Sequence, residues 1–231
     1  MVTDTWLINN KQIVPHTFFL EAGVFYVLWW MVYNNVCNTT LIKRLIDHLP
    51  INKRFEAKTR VISSLHAIML SVASTGYLLN YIDFEKWVMI LPVSSGYGLF
   101  DITLLTINYN SFKKGYIPTF IHHIILIFGP VLIEHSISRN IVRLYLFETT
   151  VPILDMSWYL YNSGQTNTLF FKINSIVTVI SYLTMRIINA THLTYVILIN
   201  GNVIFLIPTL ILLLLNLYWF KIILTVFNKF Q

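Results

Sequence analysis

Cysteine is nearly absent: Cys37 stands alone, which excludes an intrachain disulfide and any cysteine-rich metal centre. Charge is scarce too. Only 11% of the residues are Asp, Glu, Lys or Arg, against about 25% in a soluble globular domain. No basic stretch is interleaved with aromatics, and the net charge of +6 lies beside apolar runs. It is therefore read as orienting charge, and no nucleic acid is expected as a partner. Residues 1–16 show neither a basic leader nor a small-residue cleavage site, so the first apolar segment is expected to be a retained anchor. Internal repeats, low-complexity tracts and a soluble domain are also missing.

What is present is apolar. Hydrophobic residues make up 56% and aromatics 15% of the chain, with a mean hydropathy of +0.65. A membrane-crossing helix needs about 20 largely apolar residues. On that scale the candidate spans are 17–36, 60–80, 87–108, 117–134, 141–161, 169–190 and 194–220. The fifth is interrupted by Glu148 and by Pro152, which is expected to kink it. The expected fold is thus an all-α multi-pass membrane protein of about seven helices. One peripheral first helix precedes six that enclose a cytosol-facing cavity.

Most Lys and Arg fall in segments that share one side of this topology; only Lys11, Lys86, Arg139 and Arg143 fall on the other. The positive-inside rule then puts the N-terminus in the lumen and the C-terminus in the cytosol. Residues 1–50 form a lumenal tail, the first helix and the start of a linker. A membrane domain covers 51–225 and a cytosolic tail 226–231. Within the linker, Leu41, Ile42, Leu45, Ile46 and Leu49 recur at helical spacing, the pattern of an amphipathic helix at the interface.

Ionisable groups inside spans are costly and default to functional candidates. His66, Asp101, the pair His122–His123 and Asp155 come from different spans. At 1.5 Å per residue all fall roughly 8–11 Å below the cytosolic boundary. A carboxylate can orient an imidazole through one nitrogen and leave the other as base or nucleophile. Asp101 is a candidate for catalysis or for a structural partnership with His66. Arg60 marks the cytosolic end of the second span. Lys113 and Lys114 stand just outside the fourth, where a phosphate or a coenzyme A tail could dock. Deeper, Glu148 is expected to pair with Arg186, taken to lie close to the lumenal end of its span. Adjacent histidines chelate one ion poorly, so no metal is expected; a His/Asp quartet holding zinc or iron is the lesser alternative. The small and polar faces Arg60-Ser64-Ala67-Ser71-Ser74 and Ser94-Tyr97-Gly98-Asp101-Asn108 suit close helix packing.

Five segments occur here in a familiar order: TRVISSLHAIMLS (Thr59–Ser71), SSGYGLFDITLL (Ser94–Leu105), IHHIILIFGPVL (Ile121–Leu132), FETTVPILDMSWYL (Phe147–Leu160) and MRI (Met185–Ile187). In this the chain resembles the TLC-domain family (the TRAM/Lag/CLN type), over roughly Ile51 to Phe220. It looks closest to the type-4 transmembrane TLC-domain proteins, and more distantly to ceramide synthases. The resemblance implies an endoplasmic-reticulum or related endomembrane protein that handles long-chain lipids. His122 and His123 match the ceramide-synthase His-His, which implies an acyl-CoA-dependent N-acyltransferase with acyl-CoA as co-substrate and no bound cofactor. The chain departs from that pattern where ceramide synthases carry a later His-Asp: Phe147-Glu148 and Asp155 stand there.

The resulting expectation places catalysis on His122, His123 and Asp101, with His66, Arg60, Asp155, Glu148, Lys113 and Lys114 binding substrate. Membrane lipids are the expected partners, with a long acyl chain in the cavity, and a homodimer is left open. The alternatives are a non-catalytic lipid sensor or trafficking protein, and a transporter.

Overall fold

The structure is a computed structural model, and it describes residues 17–112, 115–132, 138–200 and 203–228. Among these, every regular element is helical. In order they are α1 (Phe18–Cys37), α2 (Thr40–Asp47), α3 (Ile51–Leu78), α4 (Phe84–Val88), α5 (Leu91–Ile107), α6 (Tyr109–Phe112) and α7 (Tyr116–Phe128). After α7 come a 3-10 turn (Gly129–Leu132), α8 (Ser138–Tyr145), a second 3-10 turn (Leu146–Thr150), α9 (Val151–Asn162), α10 (Leu169–Tyr182), a π-helical turn (Leu183–Ile188), α11 (Asn189–Ile199) and α12 (Val203–Phe227).

Among the described residues, four helical stretches are long and apolar enough to cross a membrane: Ile51–Leu78, Phe84–Ile107, Leu169–Ile199 and Val203–Phe227, with the shorter apolar Tyr116–Val131 beside them. The protein is an all-α integral membrane protein. α1 has 20 residues, but Glu21, its Trp and Tyr rings and Asn34-Asn35 dilute its hydropathy.

Several expected boundaries change, and the last span starts at Val203 instead of residue 194. The second span starts at Ile51, because the charged 51–59 stretch continues the helix instead of belonging to the linker. The fifth span is not one kinked helix. It breaks into α8, the 3-10 turn around Glu148 and α9. Pro152 stands in the first turn of α9, where its missing N–H costs nothing. The sixth span runs on through Asn189 and His192 to Ile199, since neither residue breaks a helix. Arg186 therefore lies well inside a 31-residue stretch and not near its end.

α5 is the central strut. α1 lies along one side of it and α7 along another. Gly96 makes the first contact possible: a Cβ there would sit 2.6 Å from Phe25 Cβ and 2.7 Å from the Ala22 carbonyl oxygen. Gly98 does the same toward α7, with Ile127 Cγ1 at 2.9 Å from a built Cβ. The Ser95 hydroxyl donates to the Leu126 and Ile127 carbonyls. Small residues of this kind let backbones approach where lipid offers no hydrophobic drive to association. Gly96→Ala is expected to cost about 1–3 kcal/mol through overpacking, read as a lower Tm in detergent. An unchanged Tm would show that α1 does not depend on this contact.

The linker helix α2 packs Ile46, with Leu49 just beyond its end, against Ala57, Trp158 and Tyr159. Leu41 and Leu45 remain exposed on its other side. The Tyr159 hydroxyl donates to the Leu45 carbonyl at 3.1 Å, and Arg54 donates to the Asp47 and Leu49 carbonyls. α2 is thereby fastened to the end of the bundle where α3 and α9 meet.

Candidate functional site

A cavity of about 1480 Å³ runs into the bundle between α3, α5, α7, α9, α10 and α12. No α1 residue lines it. Its mouth carries Lys53, Asn110, Asn162 and Lys172. Its floor carries His122, Glu148 and Arg186. Small-molecule pockets usually measure about 300–1,000 Å³, so this one has room for a long-chain molecule. Lys113 and Lys114 lie outside the described residues.

The polar side chains sort into four groups. The first is His123 on α7, whose Nε2 stands 2.7 Å from Asp101 Oδ2 on α5. Both residues are buried. A carboxylate only accepts, so the contact places a proton on Nε2, and in neutral imidazole the lone pair is then on Nδ1. That Nδ1 is buried and makes no hydrogen bond within the protein. Asp101 is thus the partner of His123, not of His66.

His66 belongs to a second group. Its Nε2 meets the Ser94 hydroxyl at 3.1 Å. Its ring is stacked on Tyr97 at 3.9 Å, with Trp29 edge-on behind. Tyr97 in turn meets His123 edge-on at 5.8 Å. This aromatic wall holds the His123 ring in place.

The third group is at the mouth. Arg60 binds Asp155 at 2.7 Å and Glu56 at 3.0 Å, and its guanidinium lies over the Trp158 ring at 4.6 Å. The Ser64 hydroxyl donates to the other Asp155 oxygen at 2.8 Å. Asp155 therefore neutralises Arg60 and orients no histidine.

The floor is the fourth. Arg186 Nε donates to the Phe147 carbonyl and the Thr150 hydroxyl, and Nη1 reaches Asn216 Oδ1 at 3.4 Å. Glu148 Oε1 stands 3.8 Å from Arg186 Nη2 and 3.7 Å from His122 Nε2. These are ion-pair separations, longer than hydrogen bonds. The π-helical turn that carries Arg186 is the kind of local widening found at functional positions in helices. His122 also meets Trp219 edge-on at 5.8 Å.

All the described candidates thus line one cavity, but only His123–Asp101 has the close imidazole–carboxylate geometry. The two histidine rings are 5.3 Å apart and tilted by 64°. One turns toward α5 and the other toward Glu148. Among the described residues, no three His, Cys, Asp or Glu side chains group as metal ligands.

Sequence reasoning passed over Asn216, Tyr182, Thr150 and Trp158. Asn216 is 2% exposed and is the only amide in the apolar run of α12. A lone amide in such a run marks a hydrogen-bonded interior position, and that signal was available. Trp158 carries no comparable mark among the many aromatics.

Fold and site together define a polytopic membrane protein whose polar interior is gathered around a large cavity. The chain belongs to the TLC-domain family, whose profile matches residues 56–225. No curated protein and no solved structure matches the chain significantly.

Proposed function

We propose that this protein binds a long-chain lipid in the central cavity and transfers an acyl group to it, with His123 as the general base. The observation that carries this reading is the His123–Asp101 contact of 2.7 Å in the wall of a cavity of about 1480 Å³. An acceptor amine attacks the thioester carbonyl of an acyl-CoA. Its proton goes to Nδ1 of His123, which neighbouring side chains cover until the incoming substrate displaces them, and then to the departing thiolate, giving amide and free thiol. Asp101 fixes the tautomer that leaves Nδ1 basic and stabilises the imidazolium. Departures from the ceramide-synthase pattern leave the acceptor's identity open within long-chain amines. An endoplasmic-reticulum membrane with the cavity mouth in the cytosol fits a coenzyme A donor.

One observation favours a second reading, a lipid sensor without turnover. Arg60 is engaged by Glu56, Asp155 and Trp158, so it has no spare charge for the phosphates of coenzyme A.

The test is to purify the protein, identify co-purified lipids by mass spectrometry, and assay acyl transfer from a long-chain acyl-CoA. His122→Ala/His123→Ala serves as the comparison. Bound lipid in both forms, with product formed by the wild type alone, is the expected result. Equal lipid occupancy and no product in either form would establish the sensor. No bound lipid at all would remove both readings, and flux across sealed liposomes would substitute transport.

A further inference from the structure

The floor of the cavity is not its end. A second, smaller recess of about 70 Å³ lies beyond it, and the two share His122, Leu126 and Glu148 as walls. The rest of the recess comes from Ile125 and Gly129 of the α7 end, Ile141, Leu144 and Tyr145 of α8, Phe147, and Phe205, Pro208, Thr209 and Leu212 of α12. Its side chains are almost entirely apolar. The Thr209 hydroxyl is occupied by the Phe205 carbonyl of its own helix. The recess is on the side of His122 away from the charged mouth.

We infer that this recess receives the terminal methylenes of the bound lipid, and that its walls set the chain length the protein accepts. The inference rests on the lipid-binding reading above. A lipid whose polar end stands at His123 and His122 meets charged groups toward the mouth and at the floor. Past the floor, an alkyl segment finds an apolar recess that adjoins the site across the shared wall of His122, Leu126 and Glu148. His122 and Glu148 stand 3.7 Å apart with no hydrogen bond between them, so the two side chains must swing apart for an alkyl chain to pass, and they break no hydrogen bond with each other in doing so. A stretch of methylenes suits such walls better than a head group does, because apart from His122, Glu148, Tyr145 and Thr209 the lining is apolar. Three wall residues control its size without belonging to the polar groups: Gly129, Thr209 and Leu212.

A Cβ at Gly129 would meet nothing closer than Ile125 Cγ2, at 3.9 Å. A side chain there is tolerated by its surroundings and has the recess to fill. Gly129→Leu should therefore shorten the preferred chain, and Leu212→Ala, which enlarges the recess, should lengthen it. A methylene that gains or loses its place in an apolar pocket changes relative binding by roughly 10-fold or more. Each variant should shift the distribution by at least that factor per carbon, in opposite directions.

The measurement is the chain-length profile of lipids that co-purify with wild type, Gly129→Leu and Leu212→Ala, together with total lipid per protein. Opposite shifts at unchanged total occupancy are expected. Identical profiles at unchanged occupancy would overturn the recess as a ruler and leave lipid binding standing. Shifts of the same sign in both variants would also overturn it, because they would report a general loosening. A wild-type protein that carries no lipid would overturn the inference together with the reading it rests on. Should Gly129→Leu fail to accumulate, Gly129→Ala competed against wild type with an equimolar ladder of free fatty acids gives the same sign test.

Discussion

Arg186→Met is expected to destabilise the protein by about 3–5 kcal/mol, the usual cost of stranding one member of a buried charged pair. Arg186 is 5% exposed and Glu148 8%. Without the guanidinium, the Glu148 carboxylate keeps only His122 at 3.7 Å. The Phe147 carbonyl loses the Arg186 donor, as does Thr150, and Asn216 loses a contact to its amide oxygen. These groups come from the 3-10 turn before α9, the π-helical turn after α10, and α12, so the loss spreads over three elements. Thermal unfolding in a fixed detergent would show it as a large fall in Tm. The double variant Arg186→Met/Glu148→Leu should recover much of the loss, because it removes the stranded charge as well. If the double variant is as unstable as the single one, the damage comes from the lost backbone contacts and not from charge.

The second large effect falls on turnover. Under the proposed reaction, Asp101→Asn is expected to lower acyl transfer by about 10²- to 10⁴-fold, the range seen when a catalytic imidazole loses its proper tautomer or its carboxylate. The Asn amide can accept from Nε2–H through its oxygen or donate to a bare Nε2 through its nitrogen. The second arrangement moves the proton to Nδ1 and removes the base. Because Asn is nearly isosteric with Asp, lipid occupancy should be retained, and that separates a chemical defect from a folding defect. His66→Ala gives the contrasting case. Its Nε2 is bonded to Ser94 and its ring to Tyr97, so its loss should act through the position of the His123 ring, with a smaller fall in rate. Equal rates in Asp101→Asn and wild type would exclude His123 as the base.

The sequence by itself determined that the chain is an all-α membrane protein, and it named most of the charged and histidine side chains that line the cavity. Long apolar runs have few alternatives in a bilayer, where every backbone polar group must be satisfied within its own helix. Ionisable residues in such runs stand out because burying them is costly. The polar stripe on α5 was legible for the same reason.

Only the tertiary structure decided the partnerships. Helical periodicity tells which face a residue occupies, but not how far its helix is turned or slid against another. Asp101 pairs with His123 from the neighbouring α7, while Arg60 finds Asp155 at a separation of 95 residues. Neither choice is encoded in a local pattern, and expecting Asp101 on His66 was equally consistent with depth. Gly96, on the opposite face of α5 from Asp101, became informative only once Phe25 and Ala22 were seen against it. Arg186 joined the floor because its helix continues to Ile199 and widens by a π-turn, an event of backbone geometry that composition does not announce. The recess past His122 is likewise a product of packing: it is the space left where α7, α8 and α12 meet, and no single stretch of sequence contains it.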